Sequence, residues 1–115
     1  MFLRIALAAQ TVALLIQAVT AGLLLSSAGG RAVHSATALA VAATVLLYLV
    51  AAVMTRERAA IMAAAGMLVM TLVQMALGMA HVKILHVPLG VLMFGGSMVQ
   101  MTRVWSADRA RTASA

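Results

Sequence analysis

Residues 33–54 read VHSATALAVAATVLLYLVAAVM, and no charge interrupts the chain between Arg31 and Arg56. A helix needs about 20 apolar residues to cross the hydrocarbon of a bilayer, and this stretch supplies them. Charged residues cut the remaining chain into three more such runs, residues 5–26, 59–80 and 86–104. The first ends in the small-residue turn Ser27-Ala28-Gly29-Gly30, and the second stops at Thr55-Arg56-Glu57-Arg58. The third gives way to the loop around Lys83, and the fourth starts near His86 and Pro88 and fades out at Arg103 and Trp105. Short loops force antiparallel neighbours. The expected fold is therefore all-α, an integral membrane up-down-up-down four-helix bundle over residues 1–105, with a flexible tail at 106–115.

Composition points the same way. The chain of 115 residues is 65% hydrophobic and 9% charged, against roughly 45–50% and 25% in soluble domains. It has too little polar surface to cover a water-soluble globule. The net charge of +6 does not suggest nucleic-acid binding, which needs a solvated basic face. With no cysteine, disulfides, thiolate metal sites and thiol nucleophiles are excluded. The first run has some marks of a signal peptide, Arg4 ahead of it and Ser26-x-Ala28 behind it. A signal core is about 7–15 residues, however, and this run is longer and carries Gln10 and Gln17, so it reads as a mature span.

Arg4, Arg56, Arg58, Arg103, Arg109 and Arg111 lie at the amino end, the middle loop and the tail, whereas the other two loops carry only Arg31 and Lys83. The positive-inside rule then places both termini in the cytoplasm of a bacterial-type inner membrane, with His34, His81 and His86 at the outer face.

The few polar residues repeat. Gln17 precedes the first outer loop with Gly22 after it, and Gln74 precedes the second with Gly78 after it. Beyond the loops, Arg31-Ala32-Val33-His34 is followed by Ala38, and Lys83-Ile84-Leu85-His86 by Gly90 at the same offset. Both halves read basic-x-x-His-x-x-x-small. On a helix this gives each histidine a cation one turn outward and a small residue one turn inward. Spans two and four occupy a diagonal of the bundle, with axes roughly 14 Å apart when neighbours lie about 10 Å apart. Their imidazoles then face each other at one depth, at a separation suited to gripping a single iron through bonds of about 2 Å. Ala38 and Gly90 leave room for a flat macrocycle, and Arg31 and Lys83 sit where its propionates emerge. The plainer reading makes the histidines interfacial residues and the cations lipid anchors.

Pro88 is tolerated in a first helical turn, which starts span four around residues 84–87 and favours His86 over His81 as the ligand. His81 takes its place only if the span begins earlier. Gln17 and Gln74 lie about two turns inside the outer end, and a buried amide there must bond to a neighbouring helix, a histidine or a cofactor edge. Gln10, one heptad before Gln17, and Gln100, on the His86–Gly90–Met93–Ser97 face, point into the bundle. The ten methionines raise Cu(I) binding, yet they spread along spans three and four without a cluster, which suits packing. The runs Ala63-Ala64-Ala65 and Gly95-Gly96-Ser97 are small-residue surfaces that let helices approach closely.

The outer end of each half, above all Leu72-Val73-Gln74-Met75-Ala76-Leu77-Gly78 followed by His86, resembles half of a haem A synthase. The whole chain looks like one four-helix half of that family, and it is also similar to uncharacterised bacterial four-span membrane families. The resemblance implies a haem held by the histidines of the even spans. It does not extend to the synthase reaction, because that family uses an acid on the outer side and often a loop cysteine pair. Here the only acids, Glu57 and Asp108, fall on the cytoplasmic side. No hydrolytic or phosphoryl-transfer motif is present.

The expected function is that of a small b-type membrane cytochrome. One haem b is ligated by His34 and His86, with Arg31, Lys83, Gln17, Gln74, Ala38 and Gly90 around it, and exchanges electrons with a quinol or a redox protein. Two histidines fill both axial positions, which favours electron transfer over oxygen activation. A single haem near one face does not bridge about 30 Å of hydrocarbon, so a homodimer or larger membrane complex is expected. The competing expectation is a cofactor-free scaffold subunit. Solute passage ranks last, because no span carries an ionisable residue at its middle.

Overall fold

Charge and turn chemistry set the helix limits. In the computed structural model, which describes residues 1–114, α1 spans Phe2–Leu23, α2 Gly30–Thr55, α3 Arg58–Met79 and α4 Lys83–Ala113. All four are long and apolar enough to cross a membrane. Each helix packs on its neighbours in chain order and α1 closes on α4, while no backbone pair approaches within 8 Å across either diagonal. The result is an up-down-up-down four-helix bundle measuring 55 × 21 × 20 Å.

Two of the three turns use a left-handed residue. Arg56 ends α2 at φ 59°, and Thr55 donates its hydroxyl to the Ala52 carbonyl while accepting the Glu57 N–H. After α3, His81 stands at φ 57°, with His81 N–H bonded to Gly78 O and Val82 N–H to Leu77 O. That pair of bonds is a Schellman cap, with histidine at the position glycine usually fills. The remaining turn brings α2 close under α1, since a Cβ at buried Gly30 would collide with the Leu23 carbonyl.

Two apolar clusters fill the interior. Ala6, Leu7, Tyr48, Ala51, Ala52 and Ala64 form one near the chain termini, joined by Val104 and Met101. Ala13, Leu14, Val41, Val45, Met67 and Met93 form the other, towards the α1–α2 and α3–α4 turns. Met67 and Met93 thus serve as core filler, whereas Met62 and Met79 are exposed on the flank. Gln10, Thr11 and Ser97 are buried and bond to one another, with Gln10 Nε2 donating to Ser97 Oγ at 3.1 Å and Thr11 and Ser97 hydroxyls 2.7 Å apart.

The fourth helix runs past the expected stop near Arg103 and Trp105. It is 31 residues long, or about 46 Å at 1.5 Å per residue, and residues 106–113 of the tail are helical. No glycine or proline breaks residues 103–113, and two ion pairs tie this extension down. Arg4 meets Asp108 at 2.5 Å with its guanidinium 4.6 Å from the Trp105 ring centre, and Arg111 meets Glu57 at 3.2 Å. Residue 115 lies outside the described residues.

Candidate functional site

The repeated polar residues meet at the turn end of the bundle. α4 begins at Lys83, so His86 lies in its first turn and His34 is near the start of α2. Being on diagonal helices, the two side chains cross the bundle interior towards each other. Their ring centres are 6.2 Å apart and their planes inclined at 70°. His81 is consumed by the Schellman cap and is exposed, and the helix start leaves it off α4. Arg31 and Lys83, one turn outward, are exposed and form no ion pair among the described residues.

Hydrogen bonds orient each ring differently. His86 Nδ1 lies 3.0 Å from the backbone carbonyl of Gln74. A carbonyl only accepts, so Nδ1 carries the proton and donates, leaving Nε2 with a free lone pair. The Gln74 amide in turn donates to the His86 carbonyl at 2.7 Å, and its Oε1 is buried without a partner. Two glycines make this packing fit. A Cβ at Gly90 would come within 2.9 Å of Gln74 Nε2, and one at Gly78 within 3.2 Å of the His86 ring. The notch left by Gly90 is therefore filled by the Gln74 amide.

His34 belongs to a closed ring of side chains. Gln17 Nε2 is 3.2 Å from His34 Nε2, His34 Nδ1 is 3.2 Å from Thr20 Oγ1, Thr20 Oγ1 is 2.9 Å from Thr37 Oγ1, and Thr37 donates to Gln17 Oε1 at 2.5 Å. An amide nitrogen only donates, so His34 Nε2 accepts and its proton sits on Nδ1. The donors then follow one another around the ring, His34 to Thr20 to Thr37 to Gln17 and back, with every member satisfied. Thr20 and Thr37 are the site residues that the sequence reading missed. Each lies three positions after a residue it singled out, Gln17 and His34, and so on the same helical face. Ala38 is half-buried one turn below His34.

The ring separation is compatible with two imidazoles sharing one metal ion. Two metal–nitrogen bonds of about 2.0 Å, with about 1.15 Å from each nitrogen to its ring centre, place two imidazole centres about 6.3 Å apart. Both protons sit on Nδ1, whose partners are the kind that orient ligating histidines; His86 Nε2 is free, whereas His34 Nε2 is taken by the Gln17 amide. No third His, Cys, Asp or Glu joins the pair among the described residues. Two grooves lie elsewhere: one of about 540 Å³ on the α1–α2 flank, reaching from Ile5 to Thr37, and one of about 340 Å³ beside Met1, Arg4 and Trp105. The Gln17 amide bonded to His34 Nε2 and the Gln74 amide seated against Gly90 would both have to move before a macrocycle entered between the imidazoles.

No family model matches the chain, and neither a curated protein nor a solved structure matches it.

Proposed function

We propose that this protein is a small b-type membrane cytochrome of a bacterial-type inner membrane, with both termini in the cytoplasm and its histidine end outward. The observation that supports the reading is the approach of His34 and His86 from diagonal helices to ring centres 6.2 Å apart, close enough for both to hold one iron. A bound haem would supply reversible one-electron exchange. The chain would supply the rest: His34 and His86 would hold the iron, Thr20 and the Gln74 carbonyl orient the rings, and the apolar clusters lie beneath. Arg31 and Lys83 would supply positive charge at the rim for two propionates. A quinol or a redox protein is the electron partner, with a homodimer or larger complex completing the path across the membrane.

The test is the reduced-minus-oxidised spectrum of the full chain purified from its membrane and, separately, after haem loading. The wild type should show the bands of a six-coordinate b-type haem, absent from the double variant His34→Ala/His86→Ala. A wild type that stays colourless after loading would end the proposal.

A second reading, a cofactor-free scaffold subunit, is favoured by one observation. The ring around His34 already satisfies every polar atom it contains without outside help. In that case the ring ties α1 to α2, and the protein contributes packing surface alone.

A further inference from the structure

The two grooves on the flank of the bundle form one continuous track. The larger, of about 540 Å³, and the smaller, of about 340 Å³, share Ile5 and Ala8 in their walls. The track starts at Arg4 and Trp105, where α1 meets α4, follows the outer side of α1 past Ala8 and Ala9, and ends at Thr37 and Ala40 of α2. The alanines leave a furrow, and Ile5, Val12 and Ile16, each about half exposed, stand up beside it. From Ile5 to Ile16 the furrow is about 16 Å long at 1.5 Å per residue. One leaflet is half of about 30 Å of hydrocarbon, so the two lengths agree.

The ends of the track differ in chemistry. The long part has a single polar side chain, Thr37, whose hydroxyl is already given to Gln17 and asks nothing of a ligand. The mouth is cationic. Arg4 engages Asp108 through Nη1 and lies 4.6 Å from the Trp105 ring centre, which leaves other N–H groups of its guanidinium to donate. Arg109, four residues beyond Trp105 and so on the same helical face, is exposed and has no carboxylate partner among the described residues. Two guanidinium groups against one carboxylate leave one positive charge at the mouth, which complements the single negative charge of a phosphodiester.

We propose that the track binds one anionic phospholipid, with its phosphate at Arg4 and Arg109 and one acyl chain laid along α1 as far as Thr37. The lipid belongs to the leaflet at the end of the bundle where the chain termini lie. Only there does a furrow one leaflet deep open on a charged mouth. The site needs the helices to cross a bilayer but needs no haem, so a colourless protein leaves it standing. It differs from the general attraction of a basic surface because it requires the furrow as well as the charge.

The experiment places the full chain in phosphatidylcholine vesicles holding a minor share of brominated phosphatidylglycerol or, separately, brominated phosphatidylcholine. Emission from Trp105, the one tryptophan, is the reporter. Brominated phosphatidylglycerol should quench it well beyond its share of the lipid, and brominated phosphatidylcholine only in proportion. Arg109→Gln should lower that preference about fivefold, the worth of one cation near an anionic surface. Ala9→Phe fills the furrow at an exposed position without changing charge, and should lower the preference as well. Proportionate quenching by both lipids overturns the proposal, as does an unchanged preference in either variant. Unchanged quenching in Ala9→Phe alone would mean a diffuse basic surface. A dimer that Ala9→Phe dissociates also overturns it, because a second copy then fills the furrow. If Ala9→Phe loses helicity, Ala40→Phe at the exposed far end of the furrow decides by the same criterion.

Discussion

Replacing Gly90 by alanine should barely change stability, and the reason is a cancellation that can be taken apart. Alanine is favoured over glycine inside a helix by about 0.8–1.0 kcal/mol. The added Cβ, however, would stand 2.9 Å from Gln74 Nε2, whose bond to the His86 carbonyl is 2.7 Å long. The amide must rotate away, which costs one hydrogen bond, about 0.6 kcal/mol on average between membrane helices and up to about 1.5 in general. Gly90→Ala alone is therefore expected within about 0.5 kcal/mol of wild type. In a Gln74→Ala background there is no amide to displace, so the same substitution should stabilise by about 0.8 kcal/mol. The difference, a coupling of about 0.6–1.5 kcal/mol, is what a double-mutant cycle isolates. Equilibrium unfolding in mixed micelles can be followed through Trp105, the one tryptophan, which stacks on Arg4 where α1 meets α4. Equal stabilisation by Gly90→Ala in both backgrounds would show that the Gln74 amide does not occupy the notch.

Four more outcomes are expected from the same unfolding assay unless another is named. Ser97→Ala removes the group to which the buried Gln10 amide donates, and should cost about 1–2 kcal/mol; a loss of only a few tenths would mean water stands in for the serine. Ala64→Leu forces three carbons against Leu7 and Tyr48 at a fully buried position, at an expected cost of about 1–3 kcal/mol. Arg56→Gly and His81→Gly relieve left-handed backbone at φ 59° and 57° and should each be neutral or stabilising by up to about 1 kcal/mol, which marked destabilisation would contradict. Arg4→Ala should cost more than Asp108→Ala, since it loses the Trp105 contact along with the ion pair. Both losses should stay near or below about 1 kcal/mol at these half-exposed positions, and only Arg4→Ala should strongly alter Trp105 emission in the folded state.

The helices were legible because charge is so scarce: each of Arg31, Arg56, Glu57, Arg58 and Lys83 marks a boundary to within a few residues of the helix end. The diagonal placement of His34 and His86 followed from helix order alone. The inequality of the two sites did not, because attention to the repeat favours positions that match, and Thr20 and Thr37 matter where the halves differ. Gly90 was read as space, but whether a glycine notch stays open depends on which side chain across the groove is long enough to enter it. The end of α4 was misjudged for a related reason. Arg103 ends an apolar run, but nothing in residues 103–113 ends a helix, and the two ion pairs that pin it are made with Arg4 and Glu57, residues distant in sequence.

Those ion pairs have an electrical consequence. Asp108 and Glu57 are the only carboxylates among the side chains, and both are consumed within the molecule by Arg4 and Arg111. What remains at that pole, among the described residues, is a collar of guanidinium groups without a carboxylate partner on Arg56, Arg58, Arg103 and Arg109, all exposed. In a lipid sheet bearing anionic headgroups, each such group near the surface is worth about 1 kcal/mol of attraction. In the orientation proposed above, that collar would gather negative lipid around the cytoplasmic end of the bundle.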